Sequence, residues 1–162
     1  MPKIALVLSG CGNRDGSEIH ETVTTMLALD QQGAEYVCFA PDIPQAVVIN
    51  YLTDTPLLGE GRRVLLESAR IARGRIADLA TAKPQELDAA ILPGGLGAVR
   101  NLCTFLDDGP RCRVNESVRR LLLALHEAGK PIGALCIAPV LLARVFGEAG
   151  ISPLLTIGND AK

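Results

Sequence analysis

The chain alternates between short unbroken apolar runs and longer stretches whose apolar residues recur every three to four positions. Ile4-Ala5-Leu6-Val7-Leu8 is the first run, and its continuity predicts a strand buried on both faces. A loop with three glycines follows, from Ser9 to Gly16. Asp15 or Ser17 then serves as the cap of a helix, with Glu18 placed three residues after Asp15 as in a capping box. Ile19, Val23, Met26 and Leu27 form one apolar stripe along that helix, and Gly33 is its C-terminal stop. Tyr36-Val37-Cys38-Phe39-Ala40 predicts a second strand, closed by Pro41.

Residues 41 to 83 are less regular. Val47-Val48-Ile49 reads as a short strand or an edge piece, and Arg62 to Arg73 as a helix ended by Gly74. The pattern sharpens at Ala89-Ala90-Ile91-Leu92, a buried strand whose carboxyl end runs into the turn Pro93-Gly94-Gly95-Leu96-Gly97. Asn115 caps a helix with the stripe Val118, Leu121, Leu122 and Leu125, and Gly129 and Pro131 end it. Ile132 to Leu135 is the next strand, with Cys136 at its end and Ala138-Pro139 opening another helix. Leu154-Leu155-Thr156-Ile157 completes the pattern as a fifth parallel strand.

Strands alternating with helices predict an α/β fold, a doubly wound parallel sheet with helices on both faces. Such sheets bind ligands beyond the carboxyl ends of their strands. Three turn segments, 9–17, 93–97 and 136–139, occupy those positions.

Composition narrows the chemistry. The 162 residues suit one domain; 48% are hydrophobic and only 3% aromatic, so the core is aliphatic. The formal net charge of -2 favours neither nucleic acid nor an anionic membrane, and no run reaches transmembrane length. Five arginines lie between residues 62 and 75, and a solvated helix face is the preferred reading over an anion site. The five cysteines are scattered, none in a C-x-x-C pair, and only His20 and His126 accompany them. Free thiols are therefore expected, and no metal site. With neither a signal peptide nor an Arg-rich transit peptide visible, the expected location is cytoplasmic.

The chemistry is expected at Cys136. A nucleophile elbow is a sharp strand-to-helix turn that needs small residues two positions either side of the nucleophile, or they collide across the turn. Ala134 and Ala138 fill those positions. A thiol at a helix N-terminus also meets unpaired N–H groups that favour the thiolate. The competing reading is a cysteine packed as a small hydrophobe. Gly94 or Gly95 could add a backbone N–H to that of Ile137 as an oxyanion hole, although Pro93-Gly94-Gly95 alone is an ordinary tight turn.

Several motifs carry a family likeness. Leu8-Ser9-Gly10-Cys11-Gly12, Asp15-Gly16-Ser17-Glu18-Ile19-His20-Glu21, Phe39-Ala40-Pro41-Asp42, Ser68-Ala69-Arg70-Ile71-Ala72-Arg73-Gly74, Pro93-Gly94-Gly95 and Cys136-Ile137-Ala138-Pro139 resemble the ElbB family. That family, named glyoxalase ElbB or isoprenoid biosynthesis protein, lies within the ThiJ/PfpI, class I glutamine amidotransferase-like superfamily. The resemblance implies a flavodoxin-like fold, with residues 1–162 as one domain that lacks the family's C-terminal elements. It implies Cys136 as nucleophile and Glu21 as its carboxylate partner, protonated and hydrogen-bonded to the thiolate. It places the oxyanion hole at the Gly95 and Ile137 backbones and substrate contacts at Gly10, Cys11 and Gly94. Without the resemblance, Glu21 reads as a solvent-facing helix carboxylate.

The superfamily's downstream histidine has no counterpart in Leu155-Thr156-Ile157-Gly158-Asn159-Asp160. His126 is expected at the surface, and His20 is turned about 100° from Glu21 around the helix. What the resemblance implies is a cofactor-independent glyoxalase acting on a small 2-oxoaldehyde, glyoxal or methylglyoxal. A deglycase would use the same thiol. The alternative is a non-catalytic thiol sensor or partner-binding protein linked to isoprenoid biosynthesis, and a glutamine amidotransferase ranks third. A chain this apolar without those C-terminal elements is expected to expose aliphatic surface and form a homodimer.

Overall fold

In the computed structural model, which describes residues 1–156 and 158, five parallel strands form one sheet. They are β1 (Lys3–Val7), β2 (Glu35–Ala40), β5 (Ile76–Asp78), β6 (Ala89–Leu92) and β7 (Ile132–Ala134), in the order β5-β2-β1-β6-β7. A two-stranded antiparallel piece, β3 (Ile49–Asn50) with β4 (Thr55–Pro56), stands apart. The first strand is central and pairs Ile4 with Tyr36 on one side and with Ala89 on the other.

Alternation along β1 separates two cores. Ala5 and Val7 join the larger, under α5 (Glu116–Glu127) and α6 (Pro139–Glu148). Leu6 and Leu8 join the smaller, with Cys38, Ala40, and Val64 of α2 (Val64–Ile71). Helices thus cover both faces, as the strand–helix alternation predicts, and two short helices, α3 (Gly97–Arg100) and α4 (Phe105–Asp108), follow β6. Asn115 caps α5 as expected, its side chain accepting from the Ser117 and Val118 N–H groups, and Val118, Leu121, Leu122 and Leu125 are all buried.

Three expectations are corrected. Residues 154–156 form no strand, and Ile157 lies outside the described residues. The fifth strand is Ile76–Asp78, which escaped the periodicity because it is only three residues long, all half-buried at the sheet edge. Second, α1 (Ile19–Gln31) is capped by Glu18, whose carboxylate accepts the Glu21 N–H at 2.7 Å; neither Asp15 nor Ser17 caps it. Third, only Met26 of the α1 stripe packs against a core, the smaller one. Thr22 is the buried residue of the helix, whereas Ile19, Val23 and Leu27 are exposed.

The arginine run is largely spent on ion pairs. Arg62 and Arg70 reach Glu67, and Arg63 reaches Asp42 at 2.7 Å.

Candidate active site at the strand-to-helix elbow

The β6–β7 pairing continues one residue beyond β7, with Leu135 N–H donating to Leu92 O at 3.0 Å. The chain then turns sharply, and Cys136 takes φ 54°, in the left-handed region. A side chain there costs about 1–3 kcal/mol, so surrounding bonds must enforce it. They do so immediately downstream, where Ala138 N–H donates to Leu135 O and Val140 N–H to Ile137 O. Ala138 is fully buried, with no room for a larger residue. Pro139 starts α6 where its missing N–H is no loss. Cys136 is left exposed at the top of the sheet, while Cys38, Cys103 and Cys112 are buried.

Gly94 lies directly against Cys136. A Cβ there would overlap the Cys136 Cβ, and it would lie 3.2 Å from Cys136 Sγ and 2.6 Å from Glu21 Oε2. Sulfur and carboxylate therefore flank the same backbone point. The expected hydrogen bond between Glu21 and the thiol is not formed. Instead Glu21 Oε2 accepts the Gly94 N–H at 2.8 Å, which fixes the half-buried carboxylate beside the elbow.

Glu18 N–H donates to Gly94 O, Gly97 N–H to Gly16 O and Leu96 N–H to Asn13 O, so the first and second turn segments are laced together. Gly95 holds φ 95°, and a side chain there would strike Glu18 and Gly16. Among the described residues, neither the Gly95 N–H nor the Ile137 N–H donates to a protein acceptor. Both N–H groups are thus unpartnered, one on the residue after Cys136 and one on the residue after Gly94.

Gly10 and Cys11 lie on the first turn segment. Gly10 packs on Gly16 and its N–H donates to Ser68 Oγ at 2.8 Å. Cys11 is half-buried, and burial, then the Glu67 carboxylate, pushes its thiol up from the ordinary value. His126 is exposed and packs tilted against Phe146, and His20 is exposed beside Glu18; neither is hydrogen-bonded to Cys136.

Residues that pattern reading missed hold this loop in place. Asn101 Nδ2 donates to Ser9 O and Asp15 O, while its Oδ1 accepts the Ala46 N–H. The Asp15 carboxylate accepts the Ile49 N–H and the Tyr51 hydroxyl, both at 2.8 Å. One signal was legible: an Asn just after a glycine-rich turn, where buried carbonyls need donors.

A parallel sheet with a cysteine elbow at the carboxyl end of a strand defines an α/β protein of the amidotransferase-like class. No family model matches the chain. A human protein named glutamine amidotransferase-like class 1 domain-containing protein 3, mitochondrial, is 56% identical over 158 residues, 98% of this chain and 58% of its own. The solved isoprenoid biosynthesis protein with amidotransferase-like domain from Ehrlichia chaffeensis is 36% identical with a TM-score of 0.85, over 90% of this chain and 69% of that one. A DJ-1 superfamily protein from Salmonella typhimurium shares the fold, with a TM-score of 0.54, 24% identity, and coverage of 93% of this chain and 62% of that one. The chain belongs to the amidotransferase-like family of that Ehrlichia protein.

The chain spans 58% of the human relative's length and 54% of that of the zebrafish ES1 protein. The human relative and the rat and zebrafish ES1 proteins are all mitochondrial by name, which overturns the cytoplasmic expectation. A targeting address is carried by a separate segment, so the composition of a folded domain does not report it.

Proposed function

We propose that this chain carries the catalytic elbow of a glutathione-independent glyoxalase of the ElbB type. The observation that carries the reading is Cys136: exposed, held at φ 54°, and neighboured by Glu21 and two unpartnered N–H groups. The Cys136 sulfur adds to the aldehyde carbon of glyoxal or methylglyoxal, forming a C–S bond, and the carbonyl oxygen becomes the hydroxyl of a hemithioacetal. The Gly95 and Ile137 N–H groups stabilise the oxygen as charge develops on it. The carbon bearing sulfur then loses its proton to give an enediol. The neighbouring carbon is protonated, leaving a thioester of the 2-hydroxy acid. Water cleaves that thioester, regenerating the thiol and releasing glycolate or lactate. Glu21, anchored on Gly94, is the group placed to relay these protons.

Among the described residues no histidine is hydrogen-bonded to Cys136, so proton transfer falls to Glu21 alone, and the loss of a second acid–base group costs about 10²- to 10⁴-fold. Slow turnover is therefore expected, with addition outrunning release. The test is glycolate formation without glutathione by wild type, Cys136→Ala and Cys11→Ala. Loss in Cys136→Ala with retention in Cys11→Ala supports the reading. Equal rates in wild type and Cys136→Ala end it.

The second reading is a thiol sensor, favoured by the exposure of Cys136 alone among cysteines otherwise buried or half-buried. Its signature is peroxide converting Cys136 to sulfenic acid faster than glyoxal is turned over.

A further inference from the structure

Five thiols are scattered along the sequence, and the fold brings two of them together. Cys103 meets Val114 in an antiparallel bridge, fixed by Thr104 N–H to Arg113 O at 3.1 Å and Asn115 N–H to Leu102 O at 2.8 Å. Side chains alternate along such a ribbon, so Cys112, two residues before Val114, shares a face with Cys103. Both are buried in the larger core, at 3% and 1% exposure. Cys112 is the neighbouring thiol that adds to the upward shift of Cys103, and the Cys103 Sγ donates to Ala98 O at 3.7 Å. The other three stand apart. Cys38 lies in the smaller core across the sheet, Cys11 on the first turn segment and Cys136 at the elbow.

The two thiols are not equally placed. A groove of about 270 Å³ runs between this ribbon and α6, lined by Phe105, Pro110, Cys112, Val140, Ala143 and Gly147. Cys112 belongs to that lining and Cys103 does not. A water molecule takes about 30 Å³, so an oxidant of two heavy atoms fits the groove. Cys103 lies behind it. Burial pushes the Cys103 thiol up to about 12, so it keeps its proton at neutral pH.

We propose that Cys103 and Cys112 are a redox site separate from the elbow, which hydrogen peroxide converts to an intramolecular disulfide. The Cys112 sulfur attacks one peroxide oxygen and the O–O bond breaks. Cys112 becomes a sulfenic acid, and the other oxygen leaves as water. The Cys103 sulfur then attacks the Cys112 sulfur, forming the S–S bond. The hydroxyl leaves with the Cys103 proton as a second water. Two thiols lose two electrons in all, and one peroxide is reduced to two waters. A dithiol reductant reverses the change by exchange. The link closes residues 103–112 into a loop that carries α4. Arg144 Nε donates to Cys112 O at 2.7 Å, which ties that loop to the helix leaving the elbow. The reaction does not involve Cys136, so it stands whatever chemistry that thiol performs.

The test exposes folded wild type and Cys136→Ala to excess hydrogen peroxide at neutral pH. Remaining thiols are then blocked and the chain is digested with trypsin. Cleavage after Arg111 separates Cys103, on peptide 101–111, from Cys112, on peptide 112–113. The expected product in both proteins is these two peptides joined, lighter by two hydrogen atoms than their sum, and parted by dithiothreitol. Cys103→Ser should stop at a Cys112 sulfenic acid, trapped by dimedone. Cys112→Ser should leave Cys103 unoxidised. Circular dichroism shows whether these variants are folded; if either is not, the joined peptides of wild type and Cys136→Ala decide the proposal. Free Cys103 and Cys112 after a treatment that fully oxidises glutathione overturn it. So does a link that forms only after unfolding in urea, or one from either residue to another cysteine. Dimedone on Cys103 of folded Cys112→Ser overturns the assigned order of attack.

Discussion

At the scale of single residues, the site depends on an absent side chain. Gly94 sits where Cys136 and Glu21 converge, and its space is already taken by their atoms. Gly94→Ala should therefore push the thiol and the carboxylate apart and cost about 1–3 kcal/mol, the usual penalty for overpacking. The rate of Cys136 alkylation by iodoacetamide should change with it. Gly61→Ala is the control, because nothing lies within 4 Å of its added Cβ. If both variants behave like wild type in urea unfolding and alkylation, Gly94 does not set the geometry of the pair. Sequence reading reached these residues unevenly. Cys136 was legible because Ala134 and Ala138 are what an elbow requires. Glu21 was not, since a helix carboxylate carries no mark of what it faces; only the family resemblance singled it out. That its oxygen would take the Gly94 N–H depends on how two distant segments meet, and no local pattern encodes that.

At the scale of elements, the long segments with strong patterns were legible and the short ones were not. The α5 stripe and cap emerged as expected because twelve residues repeat one period and Asn115 precedes them. The edge strand β5 has three residues and too little pattern to register. That Ile19, Val23 and Leu27 of the α1 stripe stay exposed while Met26 packs inward was not legible, because periodicity shows that a helix has an apolar face, not which surface covers it. The connection between the first turn segment and residues 41–63 was invisible for a further reason: it is made by polar side chains. Asn101 alone satisfies two carbonyls and one N–H from three places in the chain. Asn101→Ala should destabilise the protein by about 1–3 kcal/mol, since buried backbone groups lose their partners. It should also speed proteolysis within residues 41–63. Asn115→Ala should cost a similar or smaller amount, about 1 kcal/mol, by loss of a cap. It should leave that proteolysis rate unchanged apart from the overall stability loss. Equal cleavage of the two variants at matched stability would show that Asn101 does not tether the segment.

At the scale of the whole molecule, the sheet divides two cores that each hold thiols. Cys38 belongs to the smaller, and Cys103 and Cys112 to the larger. Burial raises the Cys38 thiol from 9.0 to about 11, because a thiolate there would lose its hydration without a compensating charge. Burial likewise raises Cys103, with the neighbouring Cys112 adding to the shift. Tyr51 follows, raised from 10.0 to about 12 chiefly by burial and also by the Asp15 carboxylate that its hydroxyl bonds. The sign of the linkage is then fixed. Below pH 9 the Cys38 thiol is protonated whether the chain is folded or not, and its contribution to stability is constant. Above pH 9 the unfolded chain releases that proton while the folded chain keeps it, so stability falls as pH rises toward about 11. Tyr51 extends the decline from pH 10 toward about 12. The urea midpoint should therefore be level on the neutral side of pH 9 and fall progressively above it. Cys38→Ala removes one of the titrating groups. Whatever its effect at neutral pH, its midpoint should fall less steeply than wild type between pH 9 and 11. The comparison must be of slopes, because the lost sulfur also leaves a small void that lowers stability at every pH. Parallel alkaline limbs for wild type and Cys38→Ala would mean that the Cys38 thiol ionises as readily in the folded core as in the unfolded chain.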